Sequence, residues 1–240
     1  MGVGVVLVHG IRTSASMWRP QVEYLAERGT PVIAVDLPGH GTRLPEDFTV
    51  DGAFQTIDDA VRELAERGPV LLVGHSMGGL LALEYAGADP VPPIAGFVGA
   101  GCTALPRGLG LHAYRALIRG FDALPGRGAV FTDSVLAWTL PAETRADFGA
   151  GGYAYDAQHS ALASLSALDL LAALRSIRVP LWFVNGQFDQ LRVNERLFTR
   201  TVPHAELIVV PRTSHLVTAM RPQVFNAVLN LAISTIEQQT

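Results

Sequence analysis

The chain of 240 residues contains no lysine: all 18 of its basic residues are arginine. Any mechanism that needs a catalytic lysine amine is therefore excluded. Cysteine is almost as scarce. Cys102 stands alone, so no internal disulfide can form and nothing points to an oxidising compartment. A single thiol between apolar neighbours reads as a small core residue. No Cys/His cluster has zinc-site spacing and no Asp/Asn-rich loop suits calcium, so no metal is expected. Charged residues make up only 17% of the chain, and the net charge of −4 comes without a basic cluster. That argues against nucleic acid as a partner. The apolar opening, residues 1–8, has no positive region and is too short to cross a membrane. It reads as a strand, in a soluble cytoplasmic protein that acts away from membranes.

What the chain has in quantity is apolar residues, 49% in all. Its length fits one large domain that buries about 70–75% of its unfolded surface. Near-continuous apolar runs at residues 3–8, 31–35, 70–74, 94–101, 179–184 and 206–210 predict six parallel strands buried on both faces. Helical patterns separate most of them: from Ala15 or Ser16 to Arg28, Asp51 to Arg67, after Ser76 to Ala86 or Ala88, Asn194–Thr201, and Pro222–Glu237. The rhythm lapses between Thr103 and Ile177. Three helical segments are expected there, Leu111–Leu124, Val130–Leu140 and Asp156–Leu174, punctuated by Pro106, Pro125 and Pro141. The expected organisation is an α/β core, residues 1–102 and 178–240, with helices on both faces of a mostly parallel sheet. Residues 103–177 are read as an inserted helical cap.

One stretch carries the chemistry. Val70–Val73 runs into Gly74-His75-Ser76-Met77-Gly78-Gly79 and then into a Leu/Ala-rich helical segment. This is the strand, sharp turn and helix of a nucleophile elbow, with Ser76 at its tip. A serine hydroxyl needs a base and an orienting acid. Asp189 follows the fifth expected strand and His215 the sixth, which is the chain order an elbow-type sheet requires. His215 would take the Ser76 proton and return it to the leaving group, and Asp189 would fix the imidazole. Acyl chemistry also needs donors aimed at the developing oxyanion. The backbone amides of Met77 and of Ile11, after His9-Gly10, are the candidates. Cap aromatics Phe121, Phe131, Trp138, Tyr153 and Tyr155, with His159, Met17 and Trp18, are candidate pocket-lining groups. Arg12 is a candidate grip for a substrate carboxylate.

Together, His9-Gly10, Asp36-Leu37-Pro38-Gly39-His40-Gly41, Gly74 to Gly79, Gly186-Gln187-Phe188-Asp189 and Ser214-His215 make the chain resemble an α/β-hydrolase. The resemblance implies hydrolysis of an ester, thioester, lactone, amide or epoxide without a cofactor, on a small-molecule substrate. It also implies that His9, His75, Asp36 and His40 hold loops together. In opening on the strand that usually follows a leading β-hairpin, and in size, the chain is similar to plant methylesterases and hydroxynitrile lyases. Those lyases carry a threonine where Gly10 stands and use a lysine, so cyanohydrin cleavage by their route does not fit. Haloalkane dehalogenases and epoxide hydrolases carry an aspartate where Ser76 stands. The expected activity is a serine carboxylesterase, with a cofactor-free lyase or a ligand-binding receptor on the same scaffold as alternatives.

Overall fold

The computed structural model describes residues 2–239, apart from the side chains of residues 109, 110, 113, 114, 117, 118, 121 and 128–132. Six strands, β1 (Gly4–Val8), β2 (Val32–Val35), β3 (Val70–His75), β4 (Gly96–Ala100), β5 (Leu181–Gly186) and β6 (Ala205–Val210), form one sheet. Its spatial order is β2-β1-β3-β4-β5-β6, and every pairing is parallel. The chain winds outward from β1 in one direction to β2, then crosses back to build β3 to β6 on the other side. The crevice beyond the carboxyl ends of β1 and β3 lies at this reversal, where open α/β sheets bind ligands.

Successive side chains on a strand face opposite ways, so each strand feeds two apolar layers. Val6, Val8, Leu72, Phe97 and Phe183 enter one layer. Val5, Leu7, Leu71, Val73, Val98 and Trp182 enter the other. The first layer is closed by α2 (Val50–Ala65) and α3 (Met77–Ala86), the second by α1 (Arg19–Ala26) and α11 (Pro222–Gln239). Every residue of α3 except Glu84 is buried, as befits a helix that is apolar all round.

Between β4 and β5 run α4 (Gly108–Asp122), α5 (Ala129–Thr139), α6 (Ala142–Gly149), α7 (Ala157–Ser164) and α8 (Leu170–Ser176). The single helix expected over 156–174 is two. Asp169 interrupts it, its side chain accepting a hydrogen bond from the Ala172 amide at 3.3 Å as the cap of α8. α8 packs against α3, with Leu170 and Leu174 in the first apolar layer. The first expected helix also divides, into a short 3-10 turn at Ala15–Trp18 and α1. Two further short helices, α9 (Glu195–Thr201) and α10 (Val217–Met220), flank β6 ahead of α11. Among the described residues no helix is long and apolar enough to cross a membrane.

Candidate active site

β3 is central in the sheet and carries Ser76 at its carboxyl end. Ser76 adopts φ 53°, ψ −119°, a region costly for any residue with a Cβ, by about 1–3 kcal/mol. The turn is held by packing and by the Ser76 amide, which donates to the Ala100 carbonyl at 2.8 Å. Only glycine fits on either side. A Cβ on Gly74 would lie 2.6 Å from the Gly78 carbonyl oxygen, and one on Gly78 would lie 2.2 Å from that of His9. α3 is thereby drawn onto β1 and β3, with Ser76 at its N-terminus.

His215, after β6, reaches Ser76 from 139 positions away: its Nε2 lies 2.8 Å from the Ser76 Oγ. Its Nδ1 lies 3.1 and 3.2 Å from the two carboxylate oxygens of Asp189. The Asp189 side chain is wholly buried, and its Oδ1 also accepts from the Leu191 amide at 2.8 Å. Burial pushes the Asp189 carboxyl up. The hydrogen bond and charge of His215, with the Leu191 amide, outweigh that and hold it below the usual carboxylate range. A carboxylate only accepts, so Nδ1 carries the imidazole proton and Nε2 offers its lone pair to the serine hydroxyl. The arrangement can strip a proton from Ser76 and hold it on His215.

The loop after β1 is fixed through one carbonyl. The Gly10 oxygen accepts from His9 Nδ1 at 2.8 Å and from Thr13 Oγ1 at 2.9 Å. The peptide is planar and trans, so the Ile11 N–H of the same unit points the opposite way. Met77, as first residue of α3, has an amide with no partner inside its helix. Among the described residues neither amide donates to another backbone carbonyl. His9 is itself pinned, because the Leu37 amide donates to its Nε2 at 3.1 Å.

His9 and His75 are buried and neutral. Burial first, and then the neighbouring His40 or His215, lowers each to about 3 from 6.5. His75 Nε2 donates to the His215 carbonyl at 3.0 Å, which ties the elbow to the histidine loop. A sign follows for stability. Between pH 6.5 and about 3 the unfolded chain binds protons at these two positions that the native fold refuses. Their contribution is complete above the unfolded value and is lost as pH falls, by at most about 1.4 kcal/mol per pH unit for each ring. Urea unfolding should show a midpoint that declines steadily from about pH 6 to about pH 4. A flat midpoint over that span would mean that neither ring is held neutral.

Two cavities meet at Ser76. The larger, about 370 Å³, is lined by Leu80, Leu105, Pro106, Leu111, Leu162, Leu165, Leu191 and Val193, together with Ile11 and Met77. The smaller, about 180 Å³, is lined by His215, His75, Gly10, Ile11, Arg12, Thr13, Phe148, Tyr153, Tyr155 and Leu216. Of the expected pocket groups, Tyr153, Tyr155 and Arg12 line the smaller one, and the expected oxyanion residues Ile11 and Met77 also border the cavities. Arg12 is not free to grip a carboxylate. Its guanidinium is paired with Asp122 at 2.7 Å, donates to Gln158, and stands 5.0 Å over the Tyr155 ring.

Four expectations are corrected. Trp18 and Met17 are buried in the second apolar layer, Trp18 against Phe225 with ring centroids 5.8 Å apart. The 3-10 turn rotates them away from the site. Trp138 is 88% exposed on α5 and lines neither cavity. His159 turns to Asp122, at 2.8 Å, instead of to the site. The side chains of Phe121 and Phe131 lie outside the described residues. The cavity leucines and Phe148 were missed, because a leucine facing a cavity and one facing the core look alike in sequence.

A family model for the alpha/beta hydrolase family matches residues 5–228. The chain belongs to this family. Among its sequence relatives, (E)-2-((N-methylformamido)methylene)succinate hydrolase of Acinetobacter baylyi is 39% identical over 91 residues, 37% of this chain and 34% of the relative. Lipase LipV of Mycobacterium tuberculosis is 35% identical over 88 residues, 36% of this chain and 32% of that protein. The matched stretch thus spans about a third of these curated relatives. Among solved α/β-hydrolases, E-2-(acetamidomethylene)succinate hydrolase superposes with a TM-score of 0.78 at 24% identity, covering 98% of this chain and 92% of that one. A thermophilic esterase from Thermogutta terrifontis gives 0.75 at 22% identity, covering 98% and 91%. Both likenesses are of fold.

Proposed function

We propose that this α/β-hydrolase is a serine carboxylesterase that cleaves a small-molecule ester, lactone or thioester through an acyl-enzyme. Ser76 is the nucleophile, His215 the general base and then acid, and Asp189 the group that orients it. The amides of Ile11 and Met77 form the oxyanion hole, and the helices of residues 103–177 act as a cap over the sheet edge. The observation that carries the reading is the series of hydrogen bonds from buried Asp189 through His215 to Ser76. Supporting it are the positive-φ elbow beneath the serine and the hydrolase and lipase relatives. The scheme uses no cofactor.

The attack forms a bond from Ser76 Oγ to the ester carbon as the Oγ proton passes to His215 Nε2. Collapse breaks the bond to the leaving oxygen, which takes that proton and departs as the alcohol. Water, deprotonated by His215, then releases the acid. An alkyl fluorophosphonate reports on the first step, since only an activated serine attacks it. Peptide mass mapping should place one phosphonyl group on Ser76, and the His215→Ala variant should label far more slowly. Absence of labelling, or labelling at another serine, would remove the reading. Lyase chemistry at the same groups would run without an acyl-serine, so a trapped acyl adduct also separates those two mechanisms.

A further inference from the structure

The two cavities at Ser76 are not equivalent, and their difference fixes which half of an ester goes where. His215 lines the smaller cavity and is absent from the larger. In the scheme above, on which this inference rests, the imidazole that removes the serine proton must hand it to the leaving oxygen. The leaving oxygen and what it carries must therefore lie on the imidazole side. The acyl substituent, on the same carbon, projects the other way.

We infer that the larger cavity is the acyl pocket and the smaller one the alcohol pocket, so that the preferred substrates are esters of an aliphatic acid with a small alcohol. The linings agree with this order. The acyl side presents Leu80, Leu105, Leu111, Leu162 and Leu165 in a volume of about 370 Å³, suited to a flexible chain of several methylenes. The alcohol side has about half that volume, about 180 Å³, and presents Thr13, Tyr153 and Tyr155 as well as His215. Met77 lines only the acyl side and Ile11 lines both, which sets the two candidate oxyanion amides at the junction where the ester carbonyl must sit. During acylation the carbon–oxygen bond to the alcohol breaks, the alcohol leaves with the His215 proton through the smaller cavity, and the chain stays in the larger one on Ser76. Water entering from the vacated side then meets His215 for the second half-reaction.

Methyl octanoate and heptyl acetate test this order, because they are isomers that place the same chain on opposite sides of the carboxyl group. The expected result is a kcat/KM for methyl octanoate about tenfold or more above that for heptyl acetate, as misplacing several methylenes costs at least that. Leu165→Phe, which narrows the larger cavity, should lower the methyl octanoate value more than the heptyl acetate value. A ratio near one, or one favouring heptyl acetate, overturns the assignment, and the native protein alone gives that answer if the variant folds poorly. p-Nitrophenyl acetate is run beside them. If it is hydrolysed while the isomer ratio is wrong, only the cavity assignment falls. If none of the three esters is hydrolysed, the esterase reading falls and takes the assignment with it.

Discussion

Ser76→Ala is expected to lower kcat for p-nitrophenyl esters by about a millionfold, to the level set by binding and oxyanion contacts alone. The size follows from the geometry. The Oγ is the only heavy atom removed, and among the described residues its hydrogen-bond partner is His215 Nε2 at 2.8 Å. Without it the imidazole has no serine proton to take, and among the described residues no other nucleophile stands in its place. Cys102 is no substitute, because it is buried and burial pushes its thiol far above the usual range. Alanine keeps a Cβ, so the positive-φ strain at position 76 is unchanged and the melting temperature should move little. Steady-state kinetics beside a thermal melt give the check. A variant that folds and retains activity within about tenfold of the native protein would show that Ser76 is not the nucleophile.

Asp189→Asn should cost about ten-thousandfold in kcat, with KM nearly unchanged. The local hydrogen bonds determine how. Oδ1 of Asp189 already accepts from the Leu191 amide at 2.8 Å, so an asparagine keeps its oxygen there and turns its NH2 toward His215. An amide NH2 donates, and the imidazole must answer with an unprotonated Nδ1. The ring proton moves to Nε2, which then faces the serine hydroxyl with no lone pair to offer. Asp189→Ala leaves Nδ1 free to keep its proton some of the time, and should be less damaging than the nearly isosteric asparagine. Ordering the two variants by kcat distinguishes this tautomer effect from loss of packing. If asparagine proves the milder change, the orienting role of Asp189 is wrong.

The parts of the molecule that were legible in the sequence are those where one residue pattern has one physical meaning. Six β-branched runs bounded by Gly and Pro became six parallel strands. The Gly74 to Gly79 turn became the elbow, because a Cβ at Gly78 or Gly74 would stand only 2.2 or 2.6 Å from a backbone carbonyl oxygen. Ser76, Asp189 and His215 each follow a strand, so the parallel sheet brings them to one edge. Direction, by contrast, was hidden. Trp18 and Trp138 were expected at the site as aromatics near it, and one faces the core while the other faces solvent. Helical periodicity does not reveal that Ala15–Trp18 is wound as a 3-10 turn, which changes the face each residue occupies. The break at Asp169 was masked by Leu/Ala-rich sequence on both sides, although an aspartate before a leucine run is a capping signal. Arg12 was read as a free cation, since nothing in the local sequence announces Asp122, 110 positions away.

The separation of 139 positions between Ser76 and His215 also orders events at the ribosome. When α3 has emerged, β1, β2 and β3 are available to pair and the strained serine can form, yet His215, which meets it in the fold, has not been made. His215 arrives only with the loop after β6, which lies at the end of the strand order and pairs with β5. On the proposed mechanism, the serine therefore stands without its general base until the far edge of the sheet has been made. In refolding, recovered turnover would time the docking of this far edge and nothing earlier.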